Sequence, residues 1–336
     1  MVNIGFIGCG GIARHHLSKL KTLPNAKVVA AMDVNPEAAA KFAADAGGAR
    51  ALTDMKELLK IADIQAVYVC TPTGLHHEGV IAAAKAKKHV FCEKPIAMTA
   101  ANAKKMIAAC EKANVTLMMG FVRRFCTHWG KVKEQIVNGV IGRPIFWRSV
   151  AGSAGPASKW FLDRELGGGP LIDGAVHDYD TLRSMFGDGV LTMGSMKTYK
   201  PDTTALDSGT CLVRFASGDE CMMSWTWGLP KGVSTSHHHD VIGPKGAIYF
   251  SAPADLVPQG TDTAKYGAIR VLLEGGVNRI ELYEKRDMFI DQAKHFLDCV
   301  EKGAKPPATG HDGLKALEIW LGIYKSCLTG KAVALK

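Results

Sequence analysis

Residues 3–13 read Asn3-Ile4-Gly5-Phe6-Ile7-Gly8-Cys9-Gly10-Gly11-Ile12-Ala13, a short apolar run that breaks into glycine and then into a helical stretch. The break matches G-x-G-x-x-A. In that pattern Gly8 permits a tight turn, Gly10 lets the backbone approach a pyrophosphate, and small Ala13 lets the helix pack closely on a sheet. The N–H groups at the start of the helix, around Gly11 and Ile12, then face the phosphate. Asp33 ends the next apolar run, Lys27–Met32, at the distance where a carboxylate meets the adenosine ribose hydroxyls. A carboxylate accepts from a free 2′-hydroxyl and repels a 2′-phosphate, and Val34 and Asn35 bring no cation to offset it. NAD is therefore expected over NADP. Taken singly, the glycines could make an ordinary turn and Asp33 could cap a helix; their spacing favours the dinucleotide.

Working outward, the first third alternates strand-like runs (Asn3–Ile7, Lys27–Met32, Ala66–Cys70, His89–Cys92, Thr116–Met119) with Ala-rich helical stretches (Pro36–Ala46, Leu75–Ala86, Ala100–Ala113). That order predicts an α/β fold, a doubly wound parallel sheet with helices on both faces. After about Gly120 the rhythm changes. A helix is expected at Thr127–Asn138, a strand around Pro144–Val150, a Gly/Ser/Pro-rich loop, and a helix beginning near Leu171. Successive strands follow from Leu191 to Phe250, including Thr210–Phe215, Glu220–Trp225 and Asp240–Ile242, which predicts an open, mostly antiparallel sheet. Helices Met288–Glu301 and Leu314–Ser326 close the chain, split by Lys305-Pro306-Pro307. Two domains are expected, 1–120 and 121–336, with the last helices packing back on the first.

Composition narrows the function classes. The net charge of +9 comes from Lys and Arg scattered along helical stretches, with no basic patch interleaved with aromatics, so no nucleic-acid partner is expected. Nine cysteines, odd in number and without a Cys-x-x-Cys pair, signal neither a disulfide framework nor a zinc knuckle. No apolar run reaches transmembrane length and no basic-then-hydrophobic leader opens the chain. A cytoplasmic protein without a membrane partner is the expectation.

Ligands of an open parallel sheet sit beyond the carboxyl ends of its strands. Three polar clusters fall there: Gly8–Gly11, Thr71-Pro72-Thr73-Gly74-Leu75-His76-His77, and Glu93-Lys94-Pro95. Thr71, Pro72, His76, Glu93 and Lys94 join Gly8, Gly10, Gly11, Ile12, Ala13 and Asp33 as candidate cofactor contacts. Phe91-Cys92-Glu93-Lys94-Pro95 resembles the Glu-Lys-Pro motif of the Gfo/Idh/MocA family, the glucose-fructose oxidoreductases and inositol dehydrogenases. Residues 167–178, Gly-Gly-Gly-Pro-Leu-Ile-Asp-Gly-Ala-Val-His-Asp, are similar to its glycine-rich segment leading into Asp-x-x-x-His. Gly120-Phe121-Val122-Arg123-Arg124-Phe125 resembles the segment entering its second domain, and Gly310–Ser326 its C-terminal helix. The resemblance implies a Rossmann domain followed by an α/β domain whose open sheet commonly mediates oligomers, here a homodimer or homotetramer. Cys126, where inositol dehydrogenases often carry Asp, and the unmatched stretch Gly228–Asp240 leave the substrate open.

Oxidising an alcohol needs a base for the hydroxyl proton while hydride leaves for the nicotinamide. His177 suits the proton. Asp173, four residues earlier, shares its face if the stretch is helical, and orients the imidazole or binds a substrate hydroxyl. In the family the matched lysine and histidine share proton traffic, which makes Lys94 a coupled acid–base or electrostatic partner. No metal is expected: His76-His77, Asp173/His177 and His237-His238-His239 do not assemble a third ligand at zinc spacing. Arg123, Arg124, Trp160, Asp178 and Tyr179 are secondary candidates, for substrate contact or for packing. The leading function is NAD-dependent oxidation of a secondary alcohol of a sugar, inositol or related polyol. An NAD-dependent glycosidase of the same superfamily and a non-catalytic NAD sensor are the alternatives.

Overall fold

The protein is described here by a computed structural model covering residues 1–335, with Ser236 described in its backbone alone. The chain divides into two units, Met1–Val122 with Met288–Leu317, and Arg123–Asp287 with Glu318 onward. Among the described residues no helix is long and apolar enough to cross a membrane.

The first unit runs β1 (Val2–Ile7), α1 (Gly11–Leu20), β2 (Ala26–Met32), α2 (Pro36–Asp45), β3 (Arg50–Leu52), α3 (Met55–Leu59), β4 (Ala66–Val69), α4 (His76–Lys85), β5 (His89–Cys92), α5 (Ala100–Ala113) and β6 (Leu117–Met119). All six strands are parallel, in the order β3-β2-β1-β4-β5-β6. β4 is Ala-Val-Tyr-Val with every residue buried, as a strand covered on both faces must be. The order reverses beside β1, so the crevice for a ligand opens at the carboxyl ends of β1 and β4.

The second unit contains α6 (Thr127–Val137), β7 (Phe146–Gly152), α7 (Val176–Phe186), β8 (Gly189–Lys197), β9 (Ser208–Phe215), β10 (Glu220–Thr226), β11 (Thr235–Gly243), β12 (Gly246–Tyr249), β13 (Tyr266–Leu273) and β14 (Val277–Glu284). After α8 (Met288–Lys302) and α9 (Gly310–Thr329), the short strand β15 (Val333–Ala334) pairs with β8. Nine strands form one mixed sheet, β14-β13-β12-β11-β7-β10-β9-β8-β15, in which β7 and β10 are the parallel pair. Its alternation is clear on β10, where Cys221, Met223 and Trp225 are buried while Met222 is exposed.

Three readings from sequence are corrected. The helix expected from Leu171 is a single π turn at Pro170–Gly174, followed by α7 from Val176. β13 and β14 occupy a stretch in which the sequence reading assigned no strand, and the last helix begins at Gly310 instead of Leu314. The late helix α8 lies in the first unit, where Phe296 packs on Tyr68 and Phe91 at ring distances of 5.4 and 5.6 Å.

Candidate active site

In the first unit the cofactor candidates gather at one edge of the parallel sheet. Gly8 has φ +92°, and a Cβ there would lie 2.8 Å from the Cys70 carbonyl, so the β1–α1 turn sits hard against the end of β4. At Gly10 and Gly11 a Cβ would meet nothing within 4 Å; the space over the turn is open. α1 starts there without a side-chain cap and without an acidic residue in its first turn. α2, by contrast, is capped by its own Asn35, whose Oδ1 accepts from Glu37 and Ala38 at 2.9 and 3.2 Å. The opening N–H groups of α1 are thus left for an outside acceptor, and a pyrophosphate fits that role.

Asp33 closes over the turn. Its Oδ2 accepts from Cys9 N–H at 2.8 Å and its Oδ1 from Asn35 N–H at 2.9 Å. Each oxygen keeps a second lone pair for a ribose hydroxyl. The thiol of Cys9 is buried in the turn and pushed up to about 12, chiefly by that burial and then by the Asp33 charge. It stays protonated and is not a nucleophile.

The loops after β4 and β5 are strapped together by His76. This residue is buried, its Nδ1 lies 2.8 Å from the Pro95 carbonyl oxygen, and its Nε2 lies 2.9 Å from that of Thr71. Carbonyls only accept, so satisfying both contacts at once would take a protonated ring. Burial nevertheless dominates and drives the imidazole down. Either way the ring holds Thr71 and Lys94-Pro95 in place. The Thr71 hydroxyl, also buried, has no hydrogen-bond partner among the described residues. Glu93 turns inward. Its Oε1 meets His16 Nε2 at 2.7 Å and its Oε2 accepts from Lys94 N–H at 3.1 Å.

In the second unit Asp173 lies in the π turn, 4% exposed, and His177 in the first turn of α7. The four-residue spacing therefore spans the junction of a π turn with an α-helix instead of one regular helix. The glycine run ahead of them is demanded by close packing. Gly169 has φ +92° with the Leu206 carbonyl oxygen 2.5 Å from a Cβ position, and a Cβ on Gly174 would strike the Trp225 ring at 2.4 Å.

The secondary candidates are all engaged within the second unit. Arg123 pairs with Asp178, and Arg124 grips Asp180 with Nε–Oδ2 at 2.8 Å and Nη2–Oδ1 at 2.5 Å. Both aspartates are 1% exposed, so the two arginines neutralise the buried charges of α7. Tyr179 is buried and donates to the Leu171 carbonyl oxygen at 2.7 Å. Trp160 stacks on Phe161 at 3.7 Å.

Sequence reasoning reads His237–His239 as a strand or loop segment and leaves its role open; the run lies in β11. β11 splits the run: His238 pairs with Asp240 at 2.8 Å, while the His237 and His239 rings approach each other at 4.5 Å, tilted by 46°. His239 accepts at Nδ1 from Trp147 Nε1–H at 3.2 Å, and burial pushes it down to about 4, with the Asp178 charge opposing. Trp225 of β10 was also missed. Trp225 packs on Gly174, one residue from Asp173, and edge-on to His237 at 5.1 Å. The alternation of β10, with Cys221, Met223 and Trp225 buried, is the signal that places it on the covered side of the sheet. Among the described residues no group of three or more His, Cys, Asp or Glu side chains is placed to hold a metal ion.

Comparison with known proteins agrees with both halves. The sequence model of an oxidoreductase family with an NAD-binding Rossmann fold matches residues 2–121, and that of the GFO/IDH/MocA C-terminal domain matches residues 129–249. A myo-inositol 2-dehydrogenase of Thermotoga maritima is 32% identical, covering 100% of this chain and 99% of its own. A 1,5-anhydro-D-fructose reductase of Ensifer adhaerens is 30% identical over 99% of this chain and 98% of its own. Among solved structures, the WlbA dehydrogenase from Bordetella pertussis, in complex with NADH and UDP-GlcNAcA, superposes with a TM-score of 0.83 at 25% identity, covering 100% of this chain and 99% of that one. With its glycine turn and Asp33 at the edge of a six-stranded parallel sheet, and both domain models matched in order, the chain belongs to the Gfo/Idh/MocA family of NAD-binding oxidoreductases.

Proposed function

We propose that this oxidoreductase oxidises a secondary alcohol of a sugar, inositol or related polyol. The observation that carries the reading is the gathering of Lys94 with the open, uncapped glycine turn and Asp33 at one edge of the first unit's sheet. The names of the relatives, an inositol dehydrogenase and an anhydrosugar reductase, support the substrate class. Bound NAD supplies the hydride acceptor. The backbone from Gly8 through Gly10, Gly11 and Ile12 to the closely packed Ala13 would hold its pyrophosphate, Asp33 its adenosine ribose, and Thr71, Pro72 and Lys94 would line its path, with His76 and Glu93, both buried, bracing those loops from behind and not touching the cofactor as the sequence had suggested. His177 removes the hydroxyl proton, Asp173 orients it, and the Lys94 ammonium donates to the reacting oxygen as negative charge builds there. Nine free cysteines suit the reducing cytoplasm. A second copy of the chain covers the exposed face of the nine-stranded sheet.

A screen of inositols and monosaccharides with NAD and with NADP, read by the absorbance of reduced cofactor, tests the reading. NADH should accumulate with at least one polyol and in preference to NADPH. Product released without net NADH would favour the glycosidase, and NAD binding without turnover the sensor. Lys94→Ala and His177→Ala should each cut turnover about 10²–10⁴-fold while NADH still binds; near-normal turnover in both would sink the assignment.

A further inference from the structure

We propose that His16 is a positioning residue for Lys94, acting through Glu93, so that the helix that receives the pyrophosphate and the lysine that handles the proton are joined by one buried hydrogen bond. The inference rests on the role given to Lys94 above.

His16 lies on α1, six residues beyond Gly10, and is 2% exposed. Its ring is enclosed by Phe91, Tyr68 and Phe289 at 5.0, 5.3 and 5.7 Å. Its ring nitrogen Nε2 meets Glu93 Oε1 at 2.7 Å, and Glu93 is itself 5% exposed. Burial works to raise the Glu93 carboxyl. The hydrogen bond and charge of His16, with the Lys94 charge, outweigh it and hold the group below the ordinary carboxylate range. Glu93 is therefore ionised and only accepts, which makes His16 Nε2–H the donor.

The other carboxylate oxygen accepts the backbone N–H of Lys94. With one oxygen held by α1 and the other holding the next peptide, the carboxylate plane fixes where the lysine backbone leaves β5. There is little slack, because a Cβ on Gly120 would stand only 3.0 Å from Glu93 Oε1 and 3.1 Å from Oε2. Glu93 can neither swing toward β6 nor drop His16 without stranding a buried charge. A misplacement of about 1 Å at a reacting group costs on the order of 10²-fold in rate, so a restraint of this kind belongs to function as well as to packing.

His16→Leu, His16→Gln and Glu93→Gln test the proposal in the full-length protein. Three quantities are read: the dissociation constant of NADH from its fluorescence, the hydrogen–deuterium exchange of the Lys94 amide, and turnover of NAD with the polyol that gives the fastest NADH formation in the screen. His16→Leu should speed exchange of the Lys94 amide about tenfold. It should also lower kcat about 10–100-fold, leaving the NADH affinity within about threefold. His16→Gln, whose side-chain amide donates in the same direction, should recover most of both losses. Unchanged amide exchange and kcat in His16→Leu would overturn the proposal, as would His16→Gln failing as far as His16→Leu, because the ring would then serve packing alone. If His16→Leu does not fold, Glu93→Gln decides, through faster Lys94 exchange and reduced kcat or neither. Normal turnover in Lys94→Ala would defeat the role given to Lys94 while leaving the substrate-free amide measurement to judge His16.

Discussion

Asp33 carries two duties whose requirements coincide. Its carboxylate holds the Cys9 and Asn35 amides, and it meets the ribose of NAD in the proposed reading. Removing it therefore does more than open room for a 2′-phosphate. Asp33→Ser should raise the KM for NAD by about tenfold or more without an equal gain for NADP, since the glycine turn loses an acceptor and Val34 and Asn35 still bring no cation. Steady-state kinetics with both cofactors check this. His239 makes the pH prediction. Its folded value is depressed to about 4 from 6.5, so the unfolded chain takes up the proton first. The stability this neutral ring contributes is present above pH 6.5 and lost as pH falls toward about 4. Urea denaturation across that interval should show the loss, and His239→Phe should flatten it. At this scale, the glycines and Asp33 were legible because their backbone roles leave a fixed spacing. His16 was not, because one histidine within a helical stretch carries no sign of the carboxylate 77 residues away that it will meet.

α7 carries His177, the base in the proposed reading, and it is built around charge. Asp178 and Asp180 lie within the turn that begins with His177, and the adjacent pair Arg123 and Arg124 neutralises both. Breaking one buried pair from the arginine side strands a carboxylate and costs on the order of 3–5 kcal/mol. Arg124→Ala should accordingly lower the urea midpoint sharply, and Arg124→Ala with Asp180→Asn should recover part of it; an unchanged midpoint in the single variant would refute the clamp. The sequence shows two arginines and two aspartates but not their pairing, which depends on contacts 55 and 56 residues apart. It also shows the glycine run without its reason. The π turn at Pro170–Gly174 and the tight approach of Trp225 to Gly174 are tertiary facts, and a regular helical period read across Asp173 and His177 misses them. β13 and β14 were unread because their residues are mostly half-buried or exposed, which blurs the two-residue alternation.

For the molecule as a whole, five of the first unit's strands were legible from short apolar runs, since a parallel sheet buried on both faces writes itself as such runs, whereas the three-residue edge strand β3, mostly exposed, and the short α3 after it were not read. The nine-stranded sheet leaves a face carrying Phe146, Val150, Met193, Met222 and Ile242 exposed, interrupted by the Arg148–Asp240 ion pair. An exposed apolar face of that kind suits self-association. Met222→Glu with Phe146→Glu should shift the mass measured by light scattering toward the monomer; a parent that is already monomeric would contradict the proposed oligomer.

The central claim is hydride transfer from a polyol carbon to NAD, and isotope transfer tests it most directly. A polyol active in the screen, deuterated at the carbon bearing the oxidised hydroxyl, is incubated with NAD and the reduced cofactor is analysed by mass spectrometry. The account predicts one deuterium in each NADH formed, with a ketone as the other product. Deuterium lost to water, or product formed while the cofactor returns unreduced, would contradict it.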